Sequence, residues 1–188
     1  MKMMRTVVLT ISLLAAVVVP AQAQFDAVGS LDFPTSSSGD VEQHFLRGVA
    51  ILHSFGWVQA RDQFQEAQAL DPDFAMAYWG ESLAYNHPLV SQMNPDEPRA
   101  ALQRLAPTKE ERLAKAPTER EKGFLGAVEV LWGEGEHVDR RVGYMEAMER
   151  LHEQYPDDSE VAAFYALSIL SAVAATGDLG MRLKVKAG

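Results

Sequence analysis

Residues 44–72 read HFLRGVAILHSFGWVQARDQFQEAQALDP, and the spacing of their apolar side chains decides the fold class. Phe45, Val49 and Leu52 recur every three or four residues, which is the repeat of one face of an α-helix. A second stripe with the same repeat begins at Phe64. The stretch therefore predicts two consecutive helices.

The same repeat continues along the chain, and local signals divide it into helices. A Ser, Thr, Asp or Asn followed three residues later by Glu or Gln is typical of a helix start. The residues that begin this pattern are Asp40, Asn94, Thr108, Thr118 and Asp157. Pro and Gly residues mark the ends. The predicted helices cover 40–55, 57–70, 74–86, 95–105, 108–115, 118–132, 139–154 and 158–173. Because no segment alternates as a strand does, the sequence predicts an all-α fold.

The N-terminus has the pattern of a cleaved secretory signal. Two positive residues precede an almost entirely apolar run, 6–19, and small residues follow at Ala21 and Ala23. The run is shorter than the roughly 20 residues that span a bilayer. We predict a signal peptide over residues 1–23, cleaved after Ala23. We therefore expect a periplasmic or secreted protein with no membrane span after cleavage.

Residues 24–39 hold a Ser run together with Gly and Pro. This composition predicts a flexible tether without regular structure. The helical domain is then expected over 40–173.

Composition excludes several functional classes. The 188 residues contain 17 Lys and Arg against 26 Asp and Glu, a net charge of −9, which argues against non-specific nucleic-acid binding. There is no Cys, so disulfides, Cys-ligated zinc, iron–sulfur clusters and thiol catalysis are excluded. The sequence contains no phosphate loop, dinucleotide-binding glycine pattern, Gly-x-Ser-x-Gly or His-Glu-x-x-His. We therefore expect a protein that is not an enzyme.

Residues 44–72 also carry small, aromatic and Pro positions with a specific spacing. Gly48 lies where one helix must approach its partner, Ala60, Phe64 and Ala67 lie in the crevice, and Pro72 ends the second helix. These positions resemble a tetratricopeptide repeat (TPR). The resemblance implies an α-solenoid of antiparallel helix pairs.

Later segments resemble further repeats more loosely. Residues 74–86 resemble a first helix displaced by one TPR period, which is about 34 residues. The Pro-rich region 88–117 resembles an insertion of two short helices. Residues 118–154 resemble a third pair, with Gly126 at the small position of its first helix. Residues 158–173 resemble the first helix of a fourth unit.

Three local segments, ILHSFGW, AMAYWGES and YNHPL, resemble a group of bacterial secreted TPR proteins of unestablished activity. Those relatives are longer than this chain. The resemblance implies that 174–188 begins an incomplete further repeat and that the sequence is a C-terminally truncated fragment.

In TPR proteins the first helix of each pair lines a concave groove that binds a protein or peptide. The positions that the resemblance assigns to the groove are Glu42, Phe45, Val49, Leu52 and His53 in the first repeat, and Met76, Trp79, Leu83, Asn86 and His87 in the second. Arg120, Gly123, Ala127, Val130 and Leu131 are the matching positions of the third. The alternative for Phe45 and Trp79 is burial against the inserted helices 95–115.

His53 and His87 support a second hypothesis. They are separated by one repeat period and each lies at the end of a predicted first helix, so a transition metal or a small ligand is a candidate to bind between them. Asn86, Met76, Met93 and Glu81 are candidates to complete such a site. The alternative is that each His caps its helix or packs in the groove, because two His are too few for a closed metal site.

The remaining polar features predict surface. The charged runs 109–112 and 118–122 and the acidic loop around His137 are typical of solvated positions. Glu149-x-x-His152 has the spacing used in di-iron bundles, but such sites also need further carboxylates on facing helices.

Overall fold

The computed structural model describes residues 28–90, 93–178 and 180. The predicted signal peptide 1–23 and most of the predicted incomplete repeat 174–188 lie outside the described residues. Within the described ranges the chain forms eight helices and no strand, which confirms the all-α prediction. The helices are α1 Gly39–His53, α2 Trp57–Leu70, α3 Ala75–Leu83, α4 Asp96–Leu105, α5 Lys109–Ala114, α6 Glu119–Leu131, α7 His137–Gln154 and α8 Ser159–Thr176.

Of the five predicted helix starts, two are confirmed and three shift: α1 begins at Gly39, before Asp40, and the residue that precedes α4 is Pro95 and not Asn94. Thr108 and Thr118 each form a capping box, in which the Thr hydroxyl accepts from the backbone N–H of Glu111 or Glu121. The start of α8 is displaced by one residue from the prediction, because Asp158 and not Asp157 is its cap. The Asp158 carboxylate accepts from the backbone N–H of both Glu160 and Val161 at 3.0 Å.

Helices that follow one another along the chain pack together. The largest contacts join α1 to α2, α6 to α7 and α7 to α8, and α3 packs against α2, α4 and α6. The ring of Phe64 on α2 lies fully buried against Gly48 of α1 and Gly80 of α3. A Cβ on Gly48 would come within 2.7 Å of Cε1 of Phe64, and a Cβ on Gly80 would overlap the same ring. The prediction of a close approach at Gly48 is confirmed, and Gly80 is a second one that the sequence did not reveal.

In the third pair the close approach lies elsewhere than predicted. Gly123 of α6 faces Leu151 of α7 so closely that a Cβ would overlap a Leu151 methyl group. A Cβ on Gly126, the predicted small position, would meet its nearest atom at 3.9 Å. The prediction for Gly126 is therefore wrong, since the crossing of the two helices is one turn earlier.

The first inserted helix, α4, is joined to α3 through a buried carboxylate. Glu81 of α3 is 2% exposed, and it accepts from Nε2 of Gln68 at 2.6 Å and from Nε2 of Gln65 at 2.9 Å, both on α2. Arg104 of α4 forms an ion pair with the same carboxylate. Because a buried charge is costly without partners, this network holds α2, α3 and α4 together.

The last helix differs from the rest in composition. Among the described residues, α8 alone has the length and hydropathy of a membrane span, with 18 residues and a mean hydropathy of 1.5. Core helices of folded domains have the same properties, and seven of its residues are buried here, including Phe164 and Ile169. The expectation that no membrane span remains after cleavage therefore stays a prediction.

Phe64 sets the distance between α1 and α3, so an added methyl group there must displace it. We expect Gly80→Ala to lower the free energy of unfolding by about 1–3 kcal/mol, because the ring is packed on both sides. Gly126→Ala is the matched control, and we expect it to raise the free energy of unfolding by about 0.5–1 kcal/mol through helix propensity. Urea unfolding followed by circular dichroism measures both. Equal effects of the two substitutions would contradict the packing described.

Candidate functional site

Four aromatic side chains from four helices meet in the core. Phe45 of α1, Trp79 of α3, Phe124 of α6 and Phe164 of α8 are almost completely buried, and together they are called the aromatic cluster below. The ring centroids of Trp79 lie 6.2 Å from Phe45 and 5.1 Å from both Phe124 and Phe164. Phe45 and Trp79 are separated by one TPR period, whereas Phe124 and Phe164 are further apart along the chain. The second interval is longer because the connection between α6 and α7 is longer.

Phe33 of the N-terminal segment, residues 28–38, completes the aromatic cluster. Its ring centroid lies 5.2 Å from Phe45, 5.5 Å from Trp79, 5.1 Å from Phe124 and 6.4 Å from Phe164. The side chain is 1% exposed. The segment has no helix or strand, as predicted, but it is not a free tether. That part of the prediction is corrected, because burial of one aromatic ring holds the segment against the helices.

Arg120 of α6 contacts both the N-terminal segment and the start of α8. Its guanidinium lies 4.3 Å from the ring centroid of Phe33, and its Nη1 donates to the carbonyl oxygen of Pro34 at 2.9 Å. Its Nε donates to Oδ2 of Asp158, the cap of α8, at 2.7 Å. Burial acts to raise the pKa of Asp158, but the hydrogen bonds from Arg120 and from backbone N–H groups hold that pKa below its ordinary value.

Glu121 supplies a second contact to the segment. Its Oε1 accepts from both the backbone N–H and the hydroxyl of Ser36 at 2.8 Å, and its side chain is buried. The run 118–122 was predicted to be solvated. For Arg120 and Glu121 that prediction is wrong, because both are turned towards the N-terminal segment and away from water.

The predicted groove positions lie mostly in the core. Those that are buried are Phe45, Val49, Leu52, Met76, Trp79, Leu83 and Asn86. Glu42, His53 and His87 are half-buried. In this structure the apolar positions therefore do not line an open groove, which corrects that expectation. Phe33 of the N-terminal segment contacts Phe45 and Trp79, Phe164 of α8 contacts Trp79, and α4 of the inserted region packs against α3, so all three parts cover these positions.

Four of the predicted positions line an apolar cavity near the ends of α1 and α3. The cavity has a volume of about 270 Å³. Its lining comprises Leu52, His53, Leu83 and Asn86 together with Phe55, Trp57, Pro88, Tyr144, Ala163, Phe164, Ala166, Leu167 and Leu170. The structure thus brings together parts of the first and second predicted repeats, with α7 and α8 closing the other side.

The two histidines have different partners. His53 donates from Nε2 to Oε2 of Glu160 at 2.7 Å, and its ring lies 5.0 Å from the ring of Phe164. The ring of His87 stacks on Trp57 at 4.8 Å. Burial, and then the charge of Arg61, lower the pKa of His87.

The geometry does not support the metal hypothesis. Glu81, a predicted member of the site, is held by α2 and α4. Across residues 28–90, 93–178 and 180, no group of three His, Cys, Asp or Glu side chains lies close enough to hold a metal ion.

A larger cleft of about 530 Å³ lies beside α4, α5, α6 and the start of α7, and two of its arginines, Arg99 and Arg112, are held by contacts within the fold. Arg112 donates to both carboxylate oxygens of Glu129 at 2.6 and 2.7 Å, and its side chain is buried. The prediction that the run 109–112 is solvated is therefore wrong for Arg112. Arg99 donates to the carbonyl oxygens of Trp132 and Gly133 at 2.6 and 2.5 Å. A cation at the carbonyl end of α6 stabilises that helix end.

His137 is also less solvated than predicted. It is half-buried, and its Nε2 lies in the interior with no hydrogen-bond partner among the described residues. Burial, and then the charges of Arg141 and Arg140, lower its pKa.

Sequence reasoning missed two residues that shape these sites. Phe33 was read as part of a loop because its neighbours are Pro, Thr and Ser, although an isolated Phe in such a segment is itself a signal of burial. Phe55 has a φ of 59°, a left-handed conformation that the sequence pattern does not reveal.

No protein-family model, curated protein or solved structure matches the chain. The TPR resemblance therefore stays a prediction. Any function assigned to the chain rests on the contacts of the N-terminal segment and on the apolar cavity.

Phe33 is expected to contribute to stability as a core residue does. Phe33→Ala should lower the free energy of unfolding by about 3–5 kcal/mol, because it empties the space among four rings. Phe55→Ala, at a side chain that is 56% exposed, is the matched control and should cost less than about 1 kcal/mol. Urea unfolding of both variants makes the comparison. Similar small losses in the two would show that Phe33 is not held in the core.

Proposed function

We propose that this protein is a periplasmic or secreted TPR-like scaffold that binds a segment of another protein, or a peptide, across the faces of α1, α3, α6 and α8. The observation that carries the proposal is the placement of residues 28–38. A segment with no helix or strand lies against these helices through the buried ring of Phe33, the partly buried Val28 and Leu31, and a few polar contacts. A peptide ligand held on a helical scaffold uses contacts of this kind.

The spacing of the aromatic cluster supports the TPR-like part of the proposal. Phe45 on α1 and Trp79 on α3 are separated by one TPR period, and both contact Phe33. Phe124 and Phe164 occupy corresponding places on α6 and α8. Equivalent positions of successive helix pairs would then face one ligand, which is the arrangement expected of stacked repeats.

The polar contacts to the segment are mostly independent of its sequence. Arg120 binds the carbonyl oxygen of Pro34, and Glu121 binds the backbone N–H of Ser36. The side chains of Asp32 and Pro34 are exposed. A different segment with an aromatic residue in the place of Phe33 could therefore make the same contacts.

The contacts also define the partner that we propose. It carries Phe or another aromatic residue as the anchor, and a hydroxyl residue three positions later, where Ser36 donates its Oγ hydrogen to Glu121. The guanidinium of Arg120 over the ring adds a cation–π contact. The proposal thus assigns most of the affinity to one buried aromatic side chain.

The segment of the chain itself competes with such a partner. A tethered segment has an effective concentration on the order of millimolar, so it weakens the binding of any external peptide. Removing the ring of Phe33 should relieve this competition.

A labelled peptide with the sequence of residues 28–38 tests the proposal in fluorescence anisotropy titrations. We expect the Phe33→Ala chain to bind the peptide at least about tenfold more tightly than the wild type does. The same peptide with its Phe replaced by Ala should not bind. The Asp32→Ala chain, altered at an exposed position of the same segment, should behave as the wild type.

Phe33→Leu provides a second chain with a smaller apolar side chain and a milder effect on stability. If the Phe33→Ala and Phe33→Leu chains both keep the helical circular dichroism spectrum and bind the peptide no better than the wild type, the proposal is wrong.

A further inference from the structure

No residue of 28–38 lines the apolar cavity, although Phe164 belongs both to its wall and to the aromatic cluster that holds Phe33. We infer that the cavity binds a small, uncharged, largely apolar molecule whose single acceptor oxygen takes hydrogen bonds from Asn86 and Tyr144. The inference does not depend on the peptide-binding proposal. It rests on the cavity's walls, on two unpaired donors among its lining residues and on the residue at its mouth.

The walls indicate an apolar and aromatic ligand. Phe55, Trp57, Tyr144 and Phe164 supply aromatic surface, and most other lining residues are Ala, Leu or Pro. Among the described residues, no Lys, Arg, Asp or Glu side chain lines the cavity. A charged ligand would have no counter-charge on these walls, so an uncharged one fits.

Asn86 supplies the first unpaired donor. It is 4% exposed, and its Oδ1 accepts from the hydroxyl of Ser171 at 3.3 Å. Its Nδ2 has no hydrogen-bond partner in the part of the chain that the structure describes. Nδ2 is not closed off from water, so it remains free to donate into the cavity, and an acceptor oxygen on a ligand would take that hydrogen bond.

Tyr144 of α7 supplies the second unpaired donor. It is 1% exposed, and its hydroxyl has no hydrogen-bond partner within the described ranges. Burial raises the pKa of Tyr144, so the phenol keeps its proton and remains a donor. Two unpaired donors from α7 and from the end of α3 therefore line one apolar cavity.

His53 positions part of the wall. Its Nε2 donates a hydrogen bond to the carboxylate of Glu160, and the centroid of its ring lies 5.0 Å from that of Phe164. This contact joins the end of α1 to the start of α8. The side chain thus stabilises the cavity at the junction of these helices, and the recognition of the acceptor is assigned to Asn86 and Tyr144.

Phe55 lies at the mouth of the cavity in a conformation that favours glycine. With a φ of 59°, it follows the end of α1, where its N–H donates to the carbonyl oxygen of Leu52 and the N–H of Gly56 donates to that of Ile51, both at 3.0 Å. Helices that end with this hydrogen-bond pattern usually carry Gly at this position. Here the chain holds a Phe instead, 56% exposed and 5.4 Å from the ring of Trp57. The exposed ring extends the aromatic wall towards solvent.

Three probes of one shape test the inference on the chain from Gln24 to Gly188. They are 2-acetylnaphthalene, which has an acceptor oxygen, 2-ethylnaphthalene, which lacks it, and 2-naphthoate, which is charged. Titration followed by NMR chemical shifts measures the dissociation constant of each. We expect one saturable site for 2-acetylnaphthalene. The dissociation constants of the ethyl compound and of naphthoate should be at least about tenfold larger.

Substitution of the donors should remove the preference for the acetyl compound. Tyr144→Phe and Asn86→Leu should each weaken binding of 2-acetylnaphthalene about three- to tenfold and leave 2-ethylnaphthalene unchanged. Tyr155→Phe, at a tyrosine that does not line the cavity, is the matched control and should change neither. Ala166→Phe, which fills the cavity from α8, should abolish binding of both.

The conservative Tyr144→Phe change keeps the ring, so the test does not depend on a disruptive variant. The inference is overturned if none of the probes binds at a saturable site. It is equally overturned if the acetyl and ethyl compounds bind alike and Tyr144→Phe changes neither.

Discussion

The burial of Phe33 among four aromatic rings is the interaction on which the arrangement of the helices depends. Each ring of the aromatic cluster comes from a different helix, and Phe33 contacts all four. Burying one such side chain contributes about 1.5–3 kcal/mol, and favourable ring pairs add about 0.5–1.5 kcal/mol each. A segment outside the helices therefore supplies part of the core that α1, α3, α6 and α8 share.

Polar contacts around this cluster link the same elements. Arg120 joins α6 to the N-terminal segment and to the cap of α8, because one guanidinium binds the carbonyl oxygen of Pro34 and the carboxylate of Asp158. Further out, Glu81 joins α2, α3 and α4 through Gln68 and Arg104. Because Glu81, Arg120 and Asp158 are largely buried, removing the partner of any one of them would leave a buried charge unpaired, which is costly.

Local features of the structure could be predicted from the sequence. Apolar spacing and capping patterns act within a few residues, so all eight helices lie within a few residues of their predicted bounds. The contact between Gly48 and Phe64 was also predictable, because both lie within one helix pair. Gly126 was chosen in place of Gly123 because a sequence pattern does not determine where two helices cross.

Non-local burial could not be predicted in the same way. Phe33 contacts side chains up to the far end of the chain, and nothing in its Ser-rich neighbourhood encodes those partners. For the same reason Arg112 and Glu121 were assigned to solvated runs, although Glu129 and Ser36 pair with them. The predicted site residues Leu52, His53, Leu83 and Asn86 are together in the cavity, but Tyr144 and Phe164 reach it only through the packing of α7 and α8.

The placement of Phe33 is tested most directly by NMR on the chain from Gln24 to Gly188. We expect nuclear Overhauser effects between the ring protons of Phe33 and those of Trp79 and Phe124, because the ring centroids are 5.5 and 5.1 Å apart. A Phe33 ring with sharp, random-coil signals and no contact to either residue would contradict the role assigned to the N-terminal segment.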